Sequence, residues 1–516
     1  MSNVPVFFAP DLVTSWNENP GCLTTMNGFA PLQNGAYGTV GTSNFFGSAT
    51  LTGADHRAAY IFSLPNGSAV FVTGRDGNLD TYTNAGVKTN IGTGYNGLTW
   101  SMASWGTQII ATNLVDAVQV SAAGAAFSAL GGSPPKASYV AANQNFVMLA
   151  GIDTNRDQVS WSALQNPTSW TPSIATQAGN YRLLDTPGII SGITAFRDSF
   201  VVFKHNSIYM GRYIGVPYIF EFKPVSTRVG MIGDSAVECD GKLYFFHHSG
   251  FYEFDGQSLR NIGTPVIQSF LAEHGVIPAT SNGVPATPSS LYYYQSTGAV
   301  QACADDIEGV VWWRGSFLTK SDNTSYSFWY GYNTRTGKWG RHALFTGVVS
   351  PATSGLTLFA PSSVSVKASA SDVINWLNTG GTTCRFLSIW NGASTTLRAV
   401  GYPSVSTDSM APTVITGAVG QIPGSQYVSR IRMRHLKGTT ALGANDVTAA
   451  YFGYKEETQT TSTGTGVMSW NSTTHALDLS TNAEFLVPAV TYGVGEQVIL
   501  GGIDMDMRKG AGDGRS

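Results

Sequence analysis

An all-β fold, arranged as a β-propeller of about six blades with insertions and a C-terminal β region, is what this sequence predicts. Three observations predict it. Helical periodicity is nearly absent across the 516 residues. Short runs rich in Val, Ile, Phe, Tyr and Trp dominate, punctuated by Gly, Asn and Asp turns. One kind of apolar run returns at a spacing of about 40 residues, the period of a propeller blade.

The N-terminal segment 1–45 reads as a strap ahead of the repeats. Its opening, Met1 to Asp11, has no basic region, and Pro5 and Pro10 cut its apolar run, so no leader is expected. The repeats occupy 46–349. Their cores are Val70-Phe71-Val72, Ile109-Ile110-Ala111, Phe146-Val147-Met148-Leu149, Phe200-Val201-Val202-Phe203, Leu243-Tyr244-Phe245-Phe246 and Val310-Val311-Trp312-Trp313. Their starts at 70, 109, 146, 200, 243 and 310 lie 39, 37, 54, 43 and 67 residues apart. A Gly, Asn or Asp turn tends to precede each core, and an alternating strand follows it, such as Leu79 to Tyr82, Val159 to Trp161 or Phe251 to Phe254.

Continuously apolar cores suit strands covered on both faces, and alternating ones suit strands with one wetter face. One blade cannot bury both of its faces, so blades stack radially and each covers the next. A β-sandwich of similar strands is the competing reading, favoured only by the unequal intervals. The long intervals predict insertions: a Pro/Gly/Ser/Thr loop at 279–288, within an insertion of about 271–290, and a charge-poor stretch at 350–371, within an insertion at 350–384. Two short helices are expected, at 266–274 and, more weakly, at 370–377. A seventh unit could start near Arg385-Phe386-Leu387. The remainder, 385–516, either closes the ring or forms an end domain.

Charge is scarce. The chain carries 32 Asp and Glu against 29 Lys and Arg, about 12% charged and net −3, where an ordinary domain has about 25% charged residues. That balance excludes a polybasic nucleic-acid binder and favours extensive subunit contact. The four cysteines, Cys22, Cys239, Cys303 and Cys384, are widely spaced and are expected as free thiols. No run approaches the length of a membrane-spanning helix.

No residue is assigned a catalytic, cofactor-binding or metal-binding role. Gly92-Thr93-Gly94-Tyr95-Asn96-Gly97 matches the dinucleotide fingerprint literally, but a strand rather than a helix follows, so it reads as a turn between blades. Gly337-Lys338 precedes Trp339, which rules out a phosphate loop, and no nucleophile elbow or zinc-protease motif occurs. His247 and His248 are adjacent, so they point to opposite faces of a strand, one inward and one to the turn. Two carboxylate groupings, Asp305, Asp306 and Glu308, and Asp153, Asp185 and Asp198, raise the possibility of a propeller glycosidase, although turn carboxylates usually cap backbone N–H groups. Trp313, Trp329 and Trp339 are candidates for stacking on sugars or, more simply, for the core. Arg430, Arg432 and Arg434 share one strand face, as do Asp504 and Asp506. Neighbouring strands with cross-strand ion pairs explain this better than a phosphate-binding stripe does.

Four segments resemble a known family. Pro20 to Leu32, with Asn27-Gly28-Phe29-Ala30-Pro31, resembles the N-terminal entry of the tail nozzle, or tail tubular, proteins of short-tailed phages, also called packaged-DNA stabilisation proteins. Trp161-Ser162 with Pro167 and Trp170 is similar to a blade element of that family, and Gly250-Phe251-Tyr252 with Asp255-Gly256 to one of its strands. Gly502-Ile503-Asp504-Met505-Asp506 with Gly514-Arg515 is similar to its ending. The resemblance implies a non-catalytic virion protein, assembled in the host cytoplasm. It implies a homo-hexameric ring at the distal end of the tail that binds an adaptor ring above and fibres or a tip below. Such a ring retains packaged DNA and lets it pass without sequence-specific binding. The alternative is a propeller adhesin, or a glycan-degrading enzyme, acting on host surface polysaccharide.

Overall fold

The computed structural model describes residues 2–6, 23–44, 56–271, 300–315, 324–348, 363–378, 384–390, 396–404, 412–416, 419–420, 426–454 and 464–509, less isolated positions within these ranges. The described residues form seven four-stranded antiparallel units. Blades 1 to 5 span 56–93, 101–129, 137–182, 190–226 and 237–261. Blade 6 spans 301–348, and blade 7 spans 363–401 with its fourth strand, Gly41–Asn44, taken from the N-terminal segment.

The six apolar cores read from the sequence are the second strands of blades 1 to 6. A second strand has hydrogen-bonded neighbours on both edges and another blade against each face, so alternation disappears. Phe200, Val201, Val202 and Phe203 are all fully buried. The seventh unit near Arg385 is likewise a second strand, Cys384–Trp390. Blade 3 is long because the chain loops out between Trp161 and Gly179.

The ring closes by two devices. Ile61 N donates to Lys367 O at 3.1 Å and Lys367 N to Ala59 O at 2.8 Å, joining the innermost edges of blades 7 and 1. Gly41–Asn44 then completes blade 7 by pairing with Thr396–Gly401. Helix α1 (Ala370–Leu377) starts in a capping box made by Ser369 and Asp372. Its buried face lies over the same seam, with Trp376 5.0 Å from Phe71 of blade 1, edge to face. Its bounds match the weaker helix expectation. The other, at 266–274, is helical where described, with Phe270 N donating to Val266 O at 2.9 Å.

The C-terminal region divides between two tasks. Residues 384–401 belong to blade 7, and 412–509 build an end unit of antiparallel strands with Leu23–Asn27 and Ser2–Val6. Part of the stretch read from sequence as an insertion, 350–384, therefore supplies the inner strand Ser363–Ser365 and α1 to blade 7. A three-residue polar strand carries too little pattern to be seen. The loop 279–288 and most of 350–371 lie outside the described residues.

The end unit is stitched to blade 6 through Tyr37–Thr39 and Phe29–Pro31, which bridge Ile499–Lys509 to Trp339–Val348. One apolar core runs through the junction, from Phe251, Trp313 and Trp339 to Phe29 and Tyr492. Gln426–His435 and Ile499–Lys509 are neighbours, as the Arg and Asp alternation predicts, with Arg432 opposite Asp504 and Arg430 opposite Asp506. One pair is diagonal, and the other is made directly across to the strand on the opposite edge, Ala476–Ala483, where Asp478 faces Arg430. Arg434 makes a two-pronged contact with Asp504 at 2.7 and 2.5 Å, and Arg430 turns to Asp478 at 2.6 Å.

Candidate functional site

The first strand of a blade begins at one end of the ring, where the connection from the preceding blade arrives. The turn between the second and third strands returns to that same end. These segments from blades 1 to 6 surround a cavity of about 610 Å³ at the mouth of the central channel, within the range of small-molecule sites.

Blade 1 contributes Arg57 and Tyr60, and the connection to blade 2 contributes Asn96, Thr99 and Trp100. Asp116 holds that connection by accepting from Asn96 N at 2.9 Å, Gly97 N at 3.0 Å and Asn113 Nδ2 at 2.8 Å. Partial burial would raise the Asp116 pKa, but these hydrogen bonds outweigh it and hold the carboxyl below its usual range. A Cβ on Gly97 would lie 2.3 Å from Asn113 Cγ, so the position admits only glycine without displacing that network. The GxGxxG run is thus the turn between blades 1 and 2, as expected.

Across the mouth, Asp234 forms an ion pair with Lys367, whose Nζ lies 5.9 Å from the Tyr60 ring centroid. Burial, and then the charge of Asp234, raise the pKa of both Tyr60 and Tyr139, Tyr139 to about 12. Both phenols are therefore neutral donors at physiological pH. His205 is held neutral by burial, which outweighs a hydrogen bond with the Met231 backbone. Four polar atoms of lining residues have no partner within the protein: Trp100 Nε1, Arg156 Nε, Ser191 Oγ and His205 Nδ1.

The residues singled out in the sequence lie elsewhere. His247 is buried and His248 exposed, as their alternation predicts. His247 Nδ1 is 2.7 Å from Ser249 Oγ, and burial, with the adjacent His248 and His205, lowers its pKa to about 3. No group of three or more potential metal ligands occurs among the described residues. Asp305 is a strut: it accepts from Tyr402 Oη at 2.6 Å and caps Ile307 N and Glu308 N at 3.0 and 3.1 Å. Asp306 accepts from Ser371 N and Glu308 from Gln33 N. Asp198 sits in the turn between the first two strands of blade 4, at the opposite end of the ring from Asp153, so that trio is not brought together. Trp313, Trp329 and Trp339 are fully buried and belong to the core rather than to any sugar platform. The described cysteines Cys239, Cys303 and Cys384 are free, with Cys239 and Cys303 buried. Cys22 is outside the described residues.

The four resembling segments have structural roles where they are described. Gly28, at φ +76°, turns the chain from the end unit into the bridge to blade 6. Trp170 Nε1 donates to Pro167 O at 2.7 Å and Trp161 Nε1 to Gln177 O at 2.9 Å, fixing the blade 3 loop. Asp255 caps Gln257 N and Ser258 N after the third strand of blade 5, and Asp504 is the partner of Arg434.

A second feature lies on the flank. The hairpin joining Ile208–Gly215 to Ile219–Ser226 in blade 4 has an apolar tip: Ile214, Val216 and Tyr218 are 50%, 57% and 76% exposed. Tyr213 Oη donates to Gln177 Oε1 at 2.7 Å, tying the hairpin to blade 3. Tyr181, on the outer strand of blade 3, stacks on Phe222 at 5.5 Å. Together with Ile174, these residues form an exposed apolar flank of the kind that marks interaction surfaces. Sequence reasoning missed it, although Tyr213-Ile214-Gly215-Val216-Pro217-Tyr218 is an apolar run at a turn, where polar residues are the rule.

No known protein family matches the chain, and no curated protein matches it. Similar solved structures include a catalytically inactive virginiamycin B lyase from Staphylococcus aureus, at 10% identity and TM-score 0.40, covering 70% of this chain and 99% of that one. YCF48 from Cyanidioschyzon merolae matches at 10% identity and TM-score 0.38, over 70% of this chain and 98% of its own. The WD40 domain of Pan2 from Neurospora crassa matches at 8% identity and TM-score 0.37, over 70% and 94%. The likeness is one of fold alone. This chain is a β-propeller. No helix among its described residues is long and apolar enough to cross a membrane.

Proposed function

We propose that this chain is a non-catalytic structural subunit of a short phage tail, the nozzle. In this reading, copies of the chain form a ring below an adaptor, hold packaged DNA and release it at infection. The observation that carries the reading is the apolar flank of blades 3 and 4 on a chain with so few charges: it is surface suited to a neighbouring subunit. The order of the four resembling segments supports the same reading. A ring of this kind is heterologous, with the flank of one copy meeting a different surface of the next. Duplex DNA would run through the space the ring encloses rather than through a propeller, whose channel mouth is crossed by the Asp234–Lys367 pair.

The test is the molar mass of the purified protein, alone and with the candidate adaptor ring, by light scattering. The nozzle reading expects a sixfold ring on the adaptor and its loss in an Ile214→Asp, Tyr218→Asp variant. A monomer indifferent to other tail proteins would overturn it.

The alternative, a propeller that binds or cleaves surface polysaccharide, is favoured by the cavity at the channel mouth. Binding fits that cavity better than cleavage does. Its described lining holds one carboxylate, Asp234, paired with Lys367, where a glycosidase of the common type needs two. Incubation with host polysaccharide distinguishes them: released oligosaccharide indicates hydrolysis, retention without release indicates an adhesin.

A further inference from the structure

Blades 4 and 5 make the same turn at the channel mouth and fill it differently. Their second strands, Ser199–Lys204 and Lys242–His247, end at equivalent residues, Lys204 and His247, each 1% exposed. The blade 4 position is built for a charge: the Lys204 ammonium donates to Leu183 O at 2.6 Å and to Thr186 O at 2.7 Å. The blade 5 position is built for a neutral ring. His247 Nδ1 accepts from Ser249 N at 3.3 Å and lies 2.7 Å from Ser249 Oγ, while Nε2 donates across the seam to Asn206 Oδ1 at 3.3 Å. The backbone N–H of Ser249 fixes this tautomer, because it can only donate. A proton on Nδ1 would set one N–H against another. The serine hydroxyl can reverse its role; the backbone cannot.

Two more imidazoles stand at this seam. The His248 ring lies 3.8 Å from that of His247, centroid to centroid, and His205, next to Asn206 on blade 4, lines the mouth. Three of the eight histidines of the chain thus meet where two blades join. The charges that act on His247 are those of His248 and His205, and the ring packed against it from the third strand, at 6.3 Å, is the phenol of Tyr252. The charged groups around the cavity that His205 lines are Arg57, Arg156 and Asp234, and Asp234 is paired with Lys367.

We infer that His205, His247 and His248 make the seam between blades 4 and 5 an acid-sensitive joint, closed while the rings are neutral and loosened at the channel mouth when they take up protons. Burial holds all three below the ordinary histidine range, and for His247 the two neighbouring rings add to it. The unfolded chain binds these protons near pH 6.5, about the ordinary value, and the folded chain only at lower pH. Their share of stability is therefore complete above about pH 6.5 and is lost as pH falls towards the folded values. That window opens above the one set by the carboxylates, which starts at about pH 4.

The joint does not rest on ring assembly, so the full-length chain alone tests it. Urea unfolding from about pH 7.5 to 5 reads the coupling, and each ring kept neutral by the fold should raise the unfolding constant about tenfold between about pH 6.5 and 5. His247→Gln keeps a donor for Asn206 but cannot take up charge, so it should remove about tenfold of that dependence whatever its stability at neutral pH. Hydrogen exchange in the unaltered chain gives the location. After correction for intrinsic rates, 199–209 and 242–254 should lose protection at about pH 5.5 ahead of 69–82 in blade 1. An unfolding constant that stays level across this range, or a His247→Gln variant that keeps the full dependence, would overturn the joint. So would exchange that rises equally in every blade.

Discussion

Replacing Tyr402 with phenylalanine removes one oxygen atom from the seam between blades 6 and 7. Tyr402 is fully buried, and its hydroxyl donates to Asp305 Oδ2 at 2.6 Å while accepting from Trp312 Nε1 at 3.0 Å. The phenylalanine ring keeps the packing against Trp312, whose centroid is 5.6 Å away, so the change reports on the hydrogen bonds alone. Two buried groups lose a partner: the Asp305 carboxyl and the indole N–H of the fully buried Trp312. At about 1–3 kcal/mol for each orphaned group, and more for a charged one, the expected loss is about 2–5 kcal/mol. Asp305 keeps its caps on Ile307 N and Glu308 N, which is why the larger figure is an upper bound. Urea unfolding followed by tryptophan fluorescence, compared at a shared slope, measures the difference. Asp305→Asn and the double variant complete a cycle whose coupling should be about 0.5–3 kcal/mol. A loss below about 0.5 kcal/mol, the range of an ordinary surface substitution, would refute the strut argument. It would also return Asp305 to the carboxylates available for chemistry.

Ile214→Asp and Tyr218→Asp remove apolar surface that the isolated chain leaves exposed. Each should leave the thermal midpoint of the monomer unchanged while abolishing the sixfold ring on the adaptor, read by light scattering. Gly97→Ala should displace Asn113 from Asp116 and destabilise the chain by about 1–3 kcal/mol in urea unfolding. Asp157 and Asp240 are held below the usual carboxylate range by the hydrogen bonds of Arg182 and Arg335. Partial burial opposes the same shift in Glu253, where Arg260 and Lys242 outweigh it. Their contribution is therefore present above the unfolded pKa of about 4 and is lost as pH falls through the lower folded values. Asp305 has the opposite sign: burial raises its pKa, so its share of stability declines as pH rises from about 4 to the folded value. Thermal midpoints between pH 2 and 7 should thus fall on acidification, and Asp305→Asn should steepen that fall. A nozzle lumen that lets DNA pass predicts negligible duplex affinity with little salt dependence; tight, salt-sensitive binding in a filter or anisotropy assay would contradict it.

The ring was legible wherever a strand is covered on both faces, because burial then writes an uninterrupted apolar run. The second strands, from Val70 to Trp313, announce themselves in this way. Blade 7 was faint because its first strand, Ser363–Ser365, is short and polar, and its fourth lies more than 300 residues away in sequence. The Arg430 to Arg434 and Asp504 to Asp506 alternation identified neighbouring strands, but local pairing could not reveal that Arg430 turns to Asp478 instead. The channel mouth was invisible because each blade contributes one or two residues at a connection, and no motif joins Arg57, Arg156 and Asp234. Aligning the blades and reading the residues at the start of each first strand, Trp100-Ser101 and Ile190-Ser191 among them, would have brought the lining into one column. The three tryptophans misled in the other direction, since a large aromatic looks the same in sequence whether it faces a ligand or a core.

The strand Gly41–Asn44 gives the ring a timetable. It leaves the ribosome well before its partner, because Arg398 follows Asn44 by 354 positions, a delay of roughly 20–70 s at typical synthesis rates. Through that interval blades 1 to 6 stack in sequence as an open arc with an uncapped face at each end. The N-terminal segment meanwhile has nothing to pair with. The arc becomes a circle only when blade 7 is complete, and the same segment is then locked a second time by the end unit through Tyr37 and Leu500. Nascent copies crowded on one message therefore expose matching open edges at the same moment. That makes exchange of the N-terminal strand between chains a kinetic hazard that this topology must outrun.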